Sequence, residues 1–287
     1  MWRIIWYMTF LFNGHDGLEP TDRLIPPGWQ GNPWGPEATA ARDSGALPPL
    51  PKTPIMLQWD GWGKKVLRDG DLLFRRGDAR IAWGHFPFSR FLARVSGSEY
   101  SHTGIVSVEN GEPVVYDTTK AGVRRQPFDV WVLDNVGPLG VKRVRPELSV
   151  FASKAVRYCR TAFERQVPFD YDLAISDDEL YCVEMTEKAY RSSGLPLSEP
   201  LRIGDMENIT RFPICVFVFL KISNLDLEQL VYVPGNDRHG IWSSRSLVTV
   251  YPPPPAARLS NPEPAKPKRP AENPSPKTAT RAGANPS

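Results

Sequence analysis

Proline divides this chain into parts that can fold and parts that cannot. Of its 30 prolines, nine fall in residues 1–54 and eleven in 252–287, which leaves ten for the long stretch 55–251. Proline has no backbone N–H and a fixed φ, so its density denies the two ends a regular hydrogen-bond ladder. Charge is divided in the same way. From Pro252 onward Arg258, Lys266, Lys268, Arg269, Lys277 and Arg281 outnumber Glu263 and Glu272 by four, whereas the whole chain carries +3, so residues 1–251 sum to −1. The basic excess therefore sits on a segment too poor in apolar residues to bury a core, and it gives no reason to expect a nucleic-acid partner. Three parts are expected: an N-terminal apolar segment and Pro/Gly-rich linker over 1–54, a folded domain over 55–251, and a disordered Pro-rich basic tail over 252–287. A domain of about 200 residues is large enough for one good core.

Three cysteines, Cys159, Cys182 and Cys215, make no disulfide framework, because an odd count leaves a free thiol and no CxxC spacing occurs. The four histidines, His15, His85, His102 and His239, show no HExxH or HxH spacing, so no metal site is expected. His239, in the loop Gly235–Gly240, has no visible partner and reads as a surface residue. Neither a GxxxxGK[ST] nor a GxGxxG loop is present, and no cofactor is expected. Residues 1–12 form an apolar run behind one arginine, long enough for a signal h-region or a membrane-surface anchor and far short of the ~20 residues of a spanning helix. Both the cell envelope and the cytoplasm are compatible with these features.

Within 55–251 the strand signals come first. Leu72-Leu73-Phe74 follows the Arg68-Asp69-Gly70 turn, and 79–95 mixes aromatic and basic groups in a short helix or ordered loop. The β-rich runs Ser101–Val108 and Pro113–Thr119 flank Asn110-Gly111, a strong hairpin signal. Residues 127–133, 139–145, 214–220 and 246–250 read as further strands. Two helices are expected. One is capped by Ser149 and repeats Phe151, Ala152, Ala155, Val156, Cys159, Ala162 and Phe163 at helical spacing, which makes Cys159 a core residue. The other runs between Asp177 and Gly194, with acidic residues ahead of it, Lys188 and Arg191 near its end and a glycine stop. Cys215 reads as a core thiol of its strand.

Cys182 differs from the other thiols in falling in the first turn of its helix, where free N–H groups and the positive dipole end stabilise a thiolate. A nucleophile needs a base, and the base needs an orienting group. If Asn110-Gly111 is a two-residue turn, Glu109 pairs with Glu112 and Gly104 with Asp117, so His102 and Asp117 are diagonal neighbours on one face. A three-residue loop would put Asp117 on the other face. Gly104 opposite Asp117 leaves room for the imidazole.

Four pieces, Asp69–Phe74, Tyr100–Val106, Phe169-Asp170-Tyr171 and Leu180–Met185, occur in an order that resembles YiiX/YebB-like members of the NlpC/P60 superfamily, the circularly permuted papain-like cysteine hydrolases. The likeness covers about residues 66–222. It implies an α+β fold, an antiparallel sheet or partial barrel packed on helices, in which the histidine strand precedes the cysteine helix. It implies Cys182 as nucleophile and His102 as general base, with Asp117 as the orienting third residue, where the family commonly has glutamate. Val183 stands where the family's YCSEL motif has serine. Glu184 matches the motif glutamate and, two residues from Cys182 on a helix, is read as holding the helix start.

The reaction expected from this set is acyl transfer through a thioester, on a peptide, muropeptide or amino-acid amide. A lipid acyl hydrolase or acyltransferase of the same fold and an inactive binding module are the alternatives. Expected partners are a small peptide, amide or lipid substrate, with weak membrane or cell-wall association. The aromatic and basic stretch Trp83–Arg94 could bind an acidic peptide or a lipid headgroup, or simply be a surface element packed by its aromatics.

Overall fold

The structure, a computed structural model, describes residues 21, 24, 29–80 and 86–250. The apolar run 1–12, Trp83, His85 and the tail from Pro252 lie outside the described residues, as do the expectations placed on them. Helices α1 (Pro36–Asp43) and α2 (Pro54–Val66) each start on a proline, whose missing N–H is no loss at that position. The Thr53 hydroxyl accepts the Met56 N–H and caps α2. Part of the expected linker is thus ordered. Trp34 is fully buried against Met56 and Val130, and Asn32 donates to the Val123 carbonyl at 2.9 Å.

Strands β1 (Leu72–Arg75), β2 (His102–Glu109), β3 (Glu112–Thr119), β4 (Gly122–Pro127), β5 (Gly140–Val144) and β8 (Leu247–Thr249) form one sheet in the order β4-β3-β2-β1-β5-β8, with every neighbouring pair antiparallel. A two-stranded ribbon of β6 (Leu201–Arg202) and β7 (Leu230–Val231) lies apart from it in the sheet pattern. Between strands run α3 (Phe88–Val95), α4 (Phe128–Trp131), α5 (Val150–Glu164), α6 (Cys182–Arg191) and α7 (Pro213–Ile222).

Alternation along the strands serves two cores. Leu72, Phe74, Ile105, Val114 and Tyr116 pack with Ala155, Cys159, Met185 and Ala189 of α5 and α6. Leu73, Val106, Val115 and Val141 pack with Trp59 of α2 and with Phe128 and Trp131 of α4. A sheet covered on both faces buries both side-chain sets, which is why its strands read as nearly unbroken apolar runs. The hairpin has the two-residue turn: Glu109 pairs with Glu112, and Asn110 and Gly111 have φ of 53° and 83°, the positive pair such a turn requires.

Three expectations fail. Residues 214–220 are helical, in α7, where Pro213 supplies the first helical position. Residues 127–133 open as α4, with Asp129 in its first turn; the real strand, β4, ends at Pro127. Ser149 precedes α5 but its side chain makes no capping bond. Cys159 is fully buried, whereas Cys215 is a partly buried helical residue packed beside Phe91 and Val216.

Candidate active site

His102 is the first residue of β2 and Cys182 the first of α6. Their meeting follows from alternation. Thr103 turns toward α6, where its hydroxyl lies 3.2 Å from the Cys182 carbonyl and 2.9 Å from the Thr186 hydroxyl. The preceding residue, His102, belongs to the opposite face, and at the strand's end its ring reaches past the sheet to the start of α6. The imidazole lies between Cys182 and Asp117: Nε2 is 2.7 Å from Asp117 Oδ2, which leaves Nδ1 as the nitrogen available to the Cys182 thiol.

Asp117 is the hub of a buried network. It accepts from Arg124 Nε at 2.9 Å and Nη2 at 2.8 Å, and from Trp131 Nε1 at 2.8 Å, besides its contact with His102. Arg124 faces Asp117 directly across the β3–β4 pair. Arg75, the β1 residue paired with His102, stacks on Trp131 with its Cζ 4.5 Å from the ring centroid. Its guanidinium reaches Asp134 at 3.1 Å and comes within 3.7 Å of Asp117. Gly104 is required here, since a Cβ on it would stand 2.7 Å from Val115 Cγ1 and 3.4 Å from Asp117 Cβ.

The electrostatics follow from this packing. Burial pushes the Asp117 carboxyl up, but Arg124 and His102 outweigh it and hold the group well below the usual carboxylate range. Burial likewise opposes charge on His102, and Arg75 does so too, yet the Cys182 charge and the Asp117 hydrogen bond raise the imidazole to about 9. For Cys182 burial raises the thiol pKa, and the His102 charge and hydrogen bond, helped by the Thr103 N–H, bring it below its ordinary value. Opposite charges in a dry setting favour one another's ionised forms. Both shifts therefore run toward a thiolate beside an imidazolium.

Glu184 fits the reading made of it. Its carboxylate accepts the N–H of Ser176 at 3.1 Å and of Tyr181 at 3.4 Å, holding the helix start from the side away from the thiol. Burial lifts its pKa to about 7 against the pull of Lys188. Tyr181 hooks its buried hydroxyl onto the Tyr232 N–H at 2.6 Å. His239 is not an unpartnered surface residue: its Nε2 meets the Ser96 carbonyl at 2.9 Å. The parts that sequence reasoning missed are Arg75, Arg124 and Trp131, and an identified β4 would have exposed Arg124 opposite Asp117.

Cys182 borders a cavity walled almost entirely by carbon. Phe88 and Leu92 of α3, Phe169 and Tyr171, Phe219 of α7 and Tyr232 line it. Such a site suits an apolar group next to the reacting bond.

An antiparallel sheet that carries the histidine on a strand ahead of the cysteine helix is the papain-like core in permuted order. Residues 66–208 match the family described as "Permuted papain-like amidase enzyme, YaeF/YiiX, C92 family", and the chain belongs to this YiiX-like permuted papain-like family. It is 27% identical over 174 residues to the uncharacterised protein YiiX of Escherichia coli strain K12, covering 56% of this chain and 78% of that one. The crystal structure titled metalloprotein YiiX from Escherichia coli O157:H7 superposes with a TM-score of 0.54 at 24% identity, over 65% of this chain and 97% of that one.

Proposed function

We propose that this protein is a thiol-dependent hydrolase that cleaves an amide bond through Cys182, His102 and Asp117. The observation that carries the reading is the single imidazole shared between the thiol of Cys182 and the carboxylate of Asp117, at 2.7 Å from the latter. The Cys182 thiolate attacks the carbonyl carbon, and the oxyanion that forms faces the free N–H groups at the start of α6, including that of Cys182. Imidazolium His102 gives its proton to the departing amine as the C–N bond breaks, leaving a thioester on Cys182. A water molecule, giving its proton to His102, then attacks the thioester. The carboxylic acid leaves, and the proton on His102 restores the thiolate–imidazolium pair. Asp117 stays ionised and keeps Nε2 protonated, so Nδ1 serves the sulfur.

The carbon-walled cavity supports a substrate with an apolar group at the scissile bond, and the same lining gives the lipid acyl hydrolase its one specific argument. The relative titled a metalloprotein raises the matter of a metal. The residues here do not fit one: among the described residues no group of three or more His, Cys, Asp or Glu side chains is arranged to hold a metal ion, and in the Cys182, His102 and Asp117 set His102 Nε2 is taken by Asp117. The test is labelling of Cys182 with an electrophilic probe, followed by peptide, muropeptide, amino-acid amide and phospholipid substrates, with Cys182→Ala alongside. Hydrolysis should vanish in Cys182→Ala. Undiminished turnover would overturn the reading.

A further inference from the structure

α7 is apolar on both sides, and only one side is used. Phe219 packs on Phe88 and Phe91 of α3 with ring centroids 5.5 and 6.0 Å away, and it lines the cavity at Cys182. The opposite side carries Ile214, Phe217 and Val218, which are 78%, 61% and 46% exposed. A helix with apolar residues all round is ordinarily buried on all sides. Four exposed cations stand on or beside the same pair of helices: Arg211 just before α7, Lys221 within it, and Arg90 and Arg94 on α3, which packs against the used side of α7. Among the described residues none of the four has a carboxylate partner. The carboxylate near the end of α3, Glu207, is taken by Arg238.

We infer that this face of α7, together with the exposed cations of α7 and α3, is a docking surface for an anionic lipid bilayer. Exposed Ile, Phe and Val can enter the acyl boundary while cations that have no carboxylate partner, Lys221 among them over the Phe217 ring, meet headgroup phosphates. A second copy of the chain fits poorly. The helix has 10 residues, about 15 Å of length, and one face of it falls well short of the ~800 Å² per partner of a stable interface. Two copies packed face to face would also bring their cations together. The docking goes beyond the hydrolase reading; its use in presenting an acyl-bearing substrate to the cavity rests on that reading.

The experiment is flotation of the full-length Cys182→Ala protein with phosphatidylcholine vesicles made with and without phosphatidylglycerol, so that catalysis plays no part. Binding is expected to the phosphatidylglycerol vesicles and to fall as salt is raised. Ile214→Ser/Phe217→Ser and, separately, Arg90→Glu/Arg94→Glu should each weaken it roughly tenfold or more. On an otherwise wild-type chain both pairs should leave hydrolysis of a soluble substrate unchanged, with unaltered circular dichroism. Three results would overturn the inference: no vesicle binding, binding indifferent to both variants, or a concentration-dependent dimer that Phe217→Ser dissolves. If docking holds and hydrolysis is absent, the hydrolase reading alone fails.

Discussion

Thr103 ties the histidine strand to the backbone of Cys182, its hydroxyl lying 3.2 Å from the Cys182 carbonyl. Thr186, one turn further along α6, reaches the same oxygen at 3.0 Å. Thr103 and Thr186 are both fully buried, so the start of α6 is tied to the histidine strand by a dry contact between the Thr103 side chain and the Cys182 backbone. Thr103→Val keeps the branched shape and removes the donor. Steady-state kinetics should show kcat reduced about tenfold or more with KM nearly unchanged, and urea unfolding should show a loss of about 1–3 kcal/mol. An unchanged kcat would mean that packing alone holds the helix in place.

Cys182 should react as a thiolate below pH 8.5, the approximate value of a free thiol. Iodoacetamide alkylation followed against pH measures this. In His102→Gln the stabilising charge is gone while burial remains, so the alkylation midpoint should move upward past the free-thiol value. Hydrolysis should fail on the alkaline side near pH 9, as His102 loses the proton that the leaving amine needs. Alkylation midpoints that coincide in the two proteins would remove the ion pair from the mechanism.

Asp117→Asn leaves Arg124 and Arg75 buried with no carboxylate at the hub, a change that typically costs about 3–5 kcal/mol. Pairing it with Arg124→Met should recover part of that loss, which thermal unfolding of the double-mutant cycle would register. Activity should fall about a hundredfold or more in both, because the imidazole loses its acceptor. The acid limb gives a second readout. Since the folded carboxyl titrates below the unfolded one, its stabilisation is present above about pH 4 and is lost as pH falls from there. Asp117→Asn should flatten the stability profile in that range.

The two ends should respond differently to truncation. Ending the chain at Tyr251 should leave hydrolysis nearly unchanged, since every candidate residue lies within 55–251. Removing residues 1–51 takes away Trp34, a wholly buried side chain, and Trp34→Ala alone should cost about 3–5 kcal/mol in denaturant unfolding. Loss of activity on removing the tail would require a redrawn site.

How much of this was legible can be read from individual residues. Asn110-Gly111 determined the hairpin register, and with it the shared face of His102 and Asp117, because a two-residue turn admits one pairing. Cys182 could be placed at a helix start because acidic residues, basic residues and Gly194 bracket a short segment; Gly194 indeed has φ of 101°. Ile214–Leu220 misled because a short run of aromatic and β-branched residues has no period to separate helix from strand, and only Pro213 spoke for the helix. Arg75 and Arg124 were unreadable for a different reason. An arginine in a strand looks like a solvated edge until the neighbouring strand is known, and β4, which sets Arg124 against Asp117, ends in a segment that looked like another strand.

Chain order has a consequence for how this protein is made. Arg75, His102, Asp117 and Arg124 all lie on β1 to β4, and β2, β3 and β4 are joined by tight turns, so this part of the sheet can close on itself through short-range contacts. Cys182 is translated more than fifty residues after Arg124. On the proposed reading the base and its carboxylate are thus synthesised before the thiol, which meets them only once α6 has emerged and packs on Thr103. In the unpermuted order of papain the thiol is synthesised first; here Cys182 follows His102 and Asp117.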